Sequence, residues 1–364
     1  MDSSNRTSTE LLGLPFEDLQ AYLDQCGVGR THAPKVFRSL HALQRSLPDT
    51  PNLGRHADTL HRVNNARPLH LKNTVRADDG TYKLLFELID GALIESVLLP
   101  MRRERYTLCV STQVGCAMAC AFCATGTLGL TRTLTTGELV EQVYQARQFV
   151  HHLNEIASEG IQGSDESQRS LSHLVFMGMG EPLHQYEVTK NALRILLDQR
   201  GICFSARNVT VSTVGLVPAL RRFSEDFKGR VQLALSLHAG TDDTRQKIIP
   251  TARKWRLEDL KQALIDHPLP GRRVLMLEYV ILPGVNDSDE ELNGVAEFTQ
   301  GLRCIVNLIP FNPFPKSPFR APTQAEALHV DAQLKARGVP CSIRVTRGQE
   351  KAGACGQLAL RSLS

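Results

Sequence analysis

The chain has 364 residues, of which 42% are hydrophobic, and these values are typical of a globular protein with one large domain or two smaller ones. It contains no run of about 18 apolar residues and no apolar signal-peptide core near its N-terminus, so we expect a cytoplasmic protein that does not enter a membrane. The formal net charge of +4 permits a nucleic-acid partner without requiring one.

The first part of the chain, residues 1–75, is predicted to be helical. Apolar residues at helical spacing run from Phe16 to Leu23, and after a glycine-containing break Pro34 opens a second helical pattern that extends to Leu43. We therefore expect a small helical accessory domain ahead of the main fold.

The next segment, residues 76–105, is predicted to be a linker that contains a β-hairpin, because Asp90-Gly91 separates two β-prone runs. Basic residues accumulate before and within this segment. They are Arg55, Arg62, Arg67, Lys72, Arg76, Arg102, Arg103 and Arg105. Such clusters suit a phosphate backbone, although a solvated helix face followed by a charged turn would have the same composition.

From Tyr106 onward, β-prone and helical segments alternate. The predicted strands span residues 106–112, 173–178, 208–213, 231–237, 273–281, 304–309 and 341–346. The predicted helices span residues 137–150, 185–199, 216–224, 257–266, 288–300 and 324–337. This order predicts an α/β fold with a parallel sheet, open or closed into a barrel. Residues 154–172 are rich in serine, glutamate, glutamine and glycine, and we expect an exposed, mobile loop there.

Three cysteines are closely spaced in Cys116-Ala-Met-Ala-Cys120-Ala-Phe-Cys123. In a chain without an export signal, cysteines favour thiols or metal ligands over disulfides. The C-x3-C-x2-C spacing resembles the signature of the radical S-adenosylmethionine (SAM) enzymes, in which three thiolates hold a [4Fe–4S] cluster whose fourth iron binds SAM. A structural zinc site is the alternative, but such sites commonly use paired C-x2-C knuckles, and no histidine lies between Cys109 and His151.

Polar residues and glycines follow the ends of several predicted strands. The candidate ligand-binding residues are Gly180, Glu181, Ser212, Ser236, Leu237, His238 and Asn312. The carboxyl ends of strands are where α/β barrels build active sites. Glu181 could accept hydrogen bonds from the SAM ammonium group, and the serine and asparagine side chains could bind its carboxylate and ribose. One such residue would indicate a turn or a helix cap, but several at successive strand ends favour a ligand cleft.

Several segments together carry a closer resemblance. They are Cys109–Cys116, Cys116–Cys123, Phe176–Pro182, Ser236–His238, Asn307–Pro313 and Cys355–Leu358. With these segments the chain resembles, over nearly its whole length, the radical SAM rRNA adenine methyltransferases of the RlmN/Cfr family. The resemblance implies a partial (β/α)6 TIM-like barrel at 106–346, an RNA-recognition role for the helical domain at 1–75, and a C-terminal tail at 347–364 that carries a methyl-accepting cysteine.

The resemblance also implies a mechanism that uses two SAM molecules for each methyl group transferred. Cys355 would be methylated by the first SAM, and its S-methyl group would lose a hydrogen atom to the 5'-deoxyadenosyl radical formed from the second. The methylene radical would add to adenine, Glu95 would accept the proton of the attacked carbon, and Cys109 would release the product by forming a disulfide with Cys355. That disulfide would have to be reduced in each turnover.

Substrates and partners follow from the same resemblance. The family methylates C2 or C8 of adenine 2503 in 23S rRNA, and Pro182 and Val114 resemble the C2 branch, for which adenine 37 of tRNAs is a second substrate. An electron donor such as flavodoxin or ferredoxin is implied, and we expect a monomer. C8 methylation, a radical SAM reaction on a non-RNA substrate, and RNA binding by a protein with a structural cluster stay open as alternatives.

The segment before Cys355 departs from the family's usual pattern. Residues 347–354 read Arg-Gly-Gln-Glu-Lys-Ala-Gly-Ala, where the family usually carries an aspartate and an isoleucine. Lys351 and Gly353 change the charge and the stiffness of the segment. We expect any effect to fall on the positioning of Cys355, on the rate and on the choice of RNA, because the thiol itself is retained.

Overall fold

A computed structural model of the chain describes residues 10–44, 68–159, 169–344, 353 and 356–358. Cys355, the basic residues Arg55, Arg62 and Arg67, and the altered residue Lys351 lie outside these described residues. Within the described residues, twelve strands and nine α-helices follow one another along the chain. None of the helices found there is both long enough and apolar enough to cross a bilayer.

Most helices of the described residues begin and end close to the predicted positions, but the helix at Thr136–Glu159 runs past its predicted end and the helix at Asp242–Ile248 was not predicted. The helices are α1 (Phe16–Gln25), α2 (Ala33–His41), α3 (Thr136–Glu159), α4 (Tyr186–Leu197), α5 (Val217–Phe227), α6 (Asp242–Ile248), α7 (Leu257–Ile265), α8 (Asp289–Thr299) and α9 (Gln324–Ala336). Side chains cap several of them. Ser288 Oγ accepts a hydrogen bond from the backbone N–H of Glu291 at the start of α8, and Thr323 with Glu326 forms a capping box at the start of α9.

The strands also match the predicted pattern from residue 106 onward. They are β1 (Leu69–Arg76), β2 (Tyr82–Leu88), β3 (Leu93–Met101), β4 (Arg105–Cys109), β5 (Gln113–Gly115), β6 (Leu130–Thr133), β7 (Ser170–Phe176), β8 (Val209–Thr213), β9 (Gln232–Ser236), β10 (Leu275–Ile281), β11 (Cys304–Pro310) and β12 (Cys341–Ile343). The predicted hairpin is confirmed: β2 and β3 pair antiparallel, and their turn contains Gly91 at φ +80° with the Asp90 side chain accepting from Ala92 N.

One ten-stranded sheet organises the molecule, in the order β1-β2-β3-β4-β7-β8-β9-β10-β11-β12. The pairs from β1 to β4 are antiparallel, and every pair from β4 to β12 is parallel. Helices alternate with the parallel strands, and the strand order is linear, so the fold is a partial (β/α)6 barrel with an antiparallel extension. The predicted fold class is confirmed.

Two predicted segments differ from the structure. Residues 69–75, expected to be helical, lie in strand β1, because Leu69 and Leu71 alternate with polar residues and the strand completes the edge of the hairpin by pairing with β2. The loop expected at 154–172 is shorter, since α3 continues to Glu159 and β7 begins at Ser170. Between them, residues 160–168 lie outside the described part of the chain.

The N-terminal helices share the hydrophobic core of the barrel. Phe37 of α2 is fully buried and belongs to the same apolar cluster as the central strands. Its ring packs edge-on against Phe16 at 5.5 Å between centroids, and His41 Nδ1 lies 2.7 Å from the hydroxyl of Tyr144 in α3. The helical unit is therefore a layer packed on the barrel and not a separate body.

Candidate active site

A cavity of about 730 Å³ opens at the carboxyl ends of the parallel strands. Its wall combines the cysteine loop, the strand ends, the β3–β4 hairpin and the last described residues of the chain. The predicted site residues that line it are Cys109, Cys116, Cys120, Cys123, Gly180, Glu181, Ser212, Ser236, His238 and Asn312. The structure therefore brings together residues that are more than 200 positions apart in the sequence.

The cysteine loop connects β5 to β6 and is fixed by backbone hydrogen bonds at both ends. Cys116 N donates to Gly129 O at 2.8 Å, and Ala121 N donates to Ile248 O at the end of α6 at 2.9 Å. Gly115 has φ +79°, and a Cβ there would collide with the backbone of Gly129, so only glycine fits this start of the loop. The loop holds all three sulfurs on the wall of the cavity.

The three thiols fit a [4Fe–4S] cluster. Burial raises the pKa of all three, to about 12 for Cys116, so each is a neutral thiol until iron replaces its proton. Within the described residues, no three His, Cys, Asp or Glu side chains stand close enough to share one metal ion. A cubane cluster instead binds each thiolate to a different iron.

A buried arginine lies beneath the cysteine loop. The guanidinium of Arg245 donates hydrogen bonds to the carbonyls of Val214, Ser236 and Leu237, at 2.6, 3.0 and 3.0 Å. Burial lowers its pKa to about 10, which still leaves it charged at neutral pH, and its charge acts on Cys120. This fixed positive charge favours thiolate at the site. The predicted site residue Leu237 is fully buried, and its side chain is not part of the cavity wall. Its backbone carbonyl accepts a hydrogen bond from Arg245 instead.

Glu181 places a carboxyl group in the cavity wall. Its Oε1 accepts from Leu183 N at 3.0 Å and its Oε2 from Val214 N at 2.9 Å, while burial raises its pKa to about 7. The preceding Gly180 has φ +105°, and a Cβ there would lie 2.6 Å from the Gln113 side chain. The chain can therefore turn tightly against Gln113, and the Glu181 carboxyl group is fixed in the cavity wall by two backbone N–H groups.

His238 presents a neutral imidazole to the cavity. Its Nδ1 accepts a hydrogen bond from Val280 N at 3.0 Å, and burial lowers its pKa to about 3, so the single ring proton is on Nε2. The residue has φ +58°, and Asn286 stabilises this backbone by donating to the His238 carbonyl at 2.8 Å. The edge of Phe122 packs on the ring at 4.6 Å between centroids.

Cys109 and Glu95 lie on neighbouring strands. Cys109 ends β4, is buried and lines the cavity, and its register partner in β3 is Val97. Glu95 is two residues before Val97, on the same face of the sheet, and its carboxylate is 3.0 Å from Lys83 Nζ with both side chains buried. Glu95 is not among the residues that line the cavity. The structure therefore places the carboxylate beside the cavity wall in a buried ion pair.

Residues on both sides of Cys355 contact the cavity. Gly353, Gly356 and Leu358 are part of its wall. Ala124 N donates to Gly356 O at 2.7 Å, and Thr125 Oγ1 donates to Leu358 O at 2.6 Å. These contacts attach the end of the chain to the turn that follows the cysteine loop.

Some residues of the wall were missed by sequence reasoning. Glu278 lies within β10, Arg344 follows β12, and both line the cavity. Gln113 positions Glu181 by accepting from its backbone N–H at 3.0 Å. A lone glutamate inside the apolar strand Leu-Met-Leu-Glu-Tyr-Val-Ile was the only signal for Glu278. Gln113 lay within the Cys109–Cys116 segment but was given no role, and no motif marked Arg344.

Comparison with known proteins agrees with this geometry. Residues 110–294 match the radical SAM superfamily, so the fold, the cysteine loop and the strand-end cavity define a radical SAM enzyme with a [4Fe–4S] cluster and SAM as cofactors. The structure is similar to the crystal structure of a radical SAM methyltransferase from Sphaerobacter thermophilus, with a TM-score of 0.84 and 39% identity over 96% of this chain and 99% of that one.

The sequence relatives identify the branch within this class. The chain is 42% identical to dual-specificity RNA methyltransferase RlmN 2 of Myxococcus xanthus over 97% of this chain and 91% of the relative. It is 41% identical to dual-specificity RNA methyltransferase RlmN of Anaeromyxobacter dehalogenans over 99% of this chain and 94% of the relative. The chain belongs to the RlmN family.

Proposed function

We propose that this chain is an RNA methyltransferase that adds a methyl group to C2 of adenine 2503 in 23S rRNA and of adenine 37 in tRNAs. The observation that carries the proposal is the convergence of the cluster thiols, Cys109 and the residues on both sides of Cys355 on one cavity. A radical SAM enzyme that acts on a small molecule needs only the cluster thiols and a SAM site. A methyl-carrying mechanism has a use for Cys109 at this cavity and for Cys355, whose described neighbours Gly353 and Gly356 line it.

The chain's own residues bind and orient SAM. Cys116, Cys120 and Cys123 would hold the cluster, which would supply the electron for reductive cleavage of SAM to a 5'-deoxyadenosyl radical. The carboxylate of Glu181 accepts hydrogen bonds from the SAM ammonium group. The SAM carboxylate and ribose are bound by the polar side chains at the other strand ends, namely Ser212, Ser236, His238 and Asn312.

Cysteine chemistry then transfers the methyl group. The Cys355 thiolate would take a methyl group from a first SAM by displacement, with S-adenosylhomocysteine as the leaving group. The 5'-deoxyadenosyl radical would then abstract a hydrogen atom from this S-methyl group, and the resulting carbon radical would add to C2 of adenine. Loss of the C2 proton to Glu95, and of one electron that the cluster would take back, would restore the aromatic ring; the buried ion pair with Lys83 fixes the Glu95 carboxylate beside the cavity wall. Cys109 would then attack the Cys355 sulfur and break its bond to the methylene carbon, which would take a proton to become the methyl group. The disulfide that forms must be reduced by an external reductant.

The outer rim of the cavity is basic, which suits an RNA substrate. Arg102 and Arg105 line it, and the turn between them is held by a hydrogen bond from Arg105 Nε to Arg102 O. Lys72 is less available to a phosphate, because it forms an ion pair of 2.9 Å with Glu87. We therefore assign the phosphate contacts near the target base to the two rim arginines.

Mass spectrometry of ribosomal RNA and tRNA from cells with and without the gene tests the proposal. We expect 2-methyladenosine to disappear on deletion and to return with the wild-type gene but not with Cys355→Ala. Cys26→Ala is the matched control, because this half-buried thiol at the end of α1 is not part of the cavity wall, and it should restore methylation.

Three outcomes would contradict the proposal in different ways. An 8-methyladenosine signal would assign the enzyme to the C8 reaction. Methylation that persists with Cys355→Ala would rule out a methyl-carrying cysteine, and unchanged RNA in the deletion strain would favour a non-RNA substrate.

A further inference from the structure

Glu278 is a buried carboxyl group in the cavity wall that the mechanism above does not use. It lies in the middle of β10 with 4% of its surface exposed. Its register partners are Ser236 on β9 and Asn307 on β11, so the three side chains point to the same face of the sheet. Ser236 is one of the predicted SAM contacts, so Glu278 lies on the strand next to a residue that is predicted to contact the cofactor.

The two carboxyl oxygens of Glu278 differ in their contacts. Oε1 accepts a hydrogen bond from Asn307 Nδ2 at 3.0 Å. Oε2 is buried and has no hydrogen-bond partner among the described residues. Arg344 lines the same cavity and acts on the carboxyl group through space. A buried polar atom without a hydrogen-bond partner costs folding free energy. A ligand atom that forms a hydrogen bond with Oε2 would therefore be bound favourably.

The chemistry of this carboxyl group matches one edge of adenine. Burial raises the pKa of Glu278, which favours the protonated acid. A protonated carboxyl group presents an O–H donor beside an acceptor oxygen, and adenine presents an amino donor beside a ring-nitrogen acceptor. Asn307 uses only one lone pair of Oε1, so this oxygen can also accept from the amino group while Oε2 donates to the ring nitrogen.

We propose that Glu278, oriented by Asn307, binds the amino edge of an adenine base in this cavity. The inference rests on the proposed function, which supplies two adenine-bearing partners, namely the target base of the RNA and the adenine of SAM. Glu278 is then a specificity-determining residue that rejects a base without the amino group, because such a base leaves the buried carboxyl group without its partner.

Glu278→Gln and Glu278→Leu form a matched pair for the test, since glutamine keeps a donor and an acceptor and leucine removes both. Both variants are prepared with the cluster loaded. For each we would measure the Kd of SAM, the RNA-independent methylation of Cys355, and the Kd of a short RNA hairpin that carries the target adenine. We expect Glu278→Gln to stay close to wild type and Glu278→Leu to weaken one of the two Kd values by about tenfold.

The changes in the two Kd values and in Cys355 methylation show which partner supplies the adenine. If only the RNA Kd rises and Cys355 methylation is unchanged, the partner is the target base. If the SAM Kd rises and Cys355 methylation falls, the partner is the cofactor. Glu278→Leu with wild-type values for both partners would overturn the inference.

A second measurement does not depend on the folding of a variant. The target adenine in the hairpin is replaced by purine, and SAM is replaced by an analogue that lacks the 6-amino group. Wild-type enzyme should bind one of these about tenfold more weakly, and it should bind both normally if the inference is wrong. Wild-type enzyme that methylates no RNA would instead contradict the proposed function, and the SAM measurements would then decide the role of Glu278 alone.

Discussion

At the scale of single residues, His267 gives the structure a defined dependence on pH. It is buried beside Phe223, and its Nδ1 lies 2.7 Å from Ser224 Oγ, whose own proton goes to Leu220 O. Burial lowers its pKa to about 4, from 6.5 in the unfolded chain. Between these values the unfolded chain binds more protons than the native one, so the contribution of His267 to stability is lost as pH falls from 6.5 to 4.

We expect His267→Phe to remove this part of the pH dependence, because phenylalanine does not titrate. The pKa difference corresponds to roughly 3 kcal/mol when the full window is crossed. The measurement is the thermal midpoint of wild type and variant at a series of pH values from 7 downward. If the thermal midpoints of the two proteins changed in parallel with pH, His267 would have the same pKa in the folded and unfolded chains.

Cys109 allows a direct test of the last step of the proposed mechanism. If it releases the product, Cys109→Ala should accumulate a covalent protein–RNA adduct, because the bond between Cys355 and the base then has no thiol to break it. The adduct is detected as a slowly migrating band that ribonuclease removes. The double variant Cys109→Ala/Cys355→Ala should give no band, and a band in that control would mean that another residue forms the link.

The residues of the cavity differ in how far the sequence revealed them. Glu181 and His238 lie in the segments that follow β7 and β9, and parallel strands bring their carboxyl ends to one edge, so their meeting could be predicted. Glu278 lies inside a strand, and its importance comes from Asn307 beside it and from an oxygen without a partner. Such neighbours depend on strand register, which no local pattern specifies.

At the scale of elements, a close contact between a loop and a helix positions the end of β9. Gly240 follows β9, and Gly294 lies within α8 directly against it. Glu291 of α8 accepts hydrogen bonds from Gly240 N at 2.6 Å and from Thr241 Oγ1 at 2.5 Å. A Cβ on either glycine would overlap backbone atoms of the other segment, so the approach requires both.

Gly294→Ala should therefore destabilise the protein, although alanine in a helix is intrinsically better than glycine. We expect a loss of about 1–3 kcal/mol in the free energy of unfolding, because the clash involves backbone that cannot move aside. Gly137→Ala near the start of α3 is the comparison variant, since the nearest atoms to a Cβ there all belong to the carboxyl group of Glu10, a side-chain end that can turn aside at the cost of its hydrogen bond from Thr135. Equal unfolding midpoints for the two variants would show that the loop at Gly240 can move to accommodate the added methyl group.

The elements themselves were largely predictable from residue 106 onward, because buried parallel strands and amphipathic helices alternate there in clear apolar patterns. Strand β1 was not, because its outer face is polar and its pairing with β2 depends on residues further along the chain. The length of α3 was also missed. Ser, Glu and Asn residues near its end are common in loops, but here the helix packs along the sheet through its earlier turns.

At the scale of the whole molecule, the N-terminal helices and the barrel form one core. Arg200, beyond α4, stacks on Phe16 at 3.3 Å and lies 5.9 Å from the Phe37 ring. Gly201 approaches the same ring closely. The predicted accessory helices are thus joined to the barrel through buried aromatic packing.

Phe37→Ala should lower the unfolding midpoint of the entire protein, since removing a buried aromatic ring costs roughly 3–5 kcal/mol. Circular dichroism, which follows all helices, and the absorbance of the cluster, which follows the barrel, should shift together. A cluster signal that stays at the wild-type temperature would show that the helices unfold alone.

The attachment of the chain's end to the turn after the cysteine loop has a consequence for how the enzyme matures. Gly356 and Leu358 are held by Ala124 and Thr125, directly after Cys123, so iron–sulfur assembly and docking of the chain's end act on the same short stretch. Thermodynamic linkage makes any coupling between them reciprocal, so if cluster assembly strengthens this docking, docking strengthens cluster binding by the same free energy. Protease cleavage near the C-terminus should accordingly slow as iron and sulfide are incorporated, which makes the chain's end an indicator of cofactor loading.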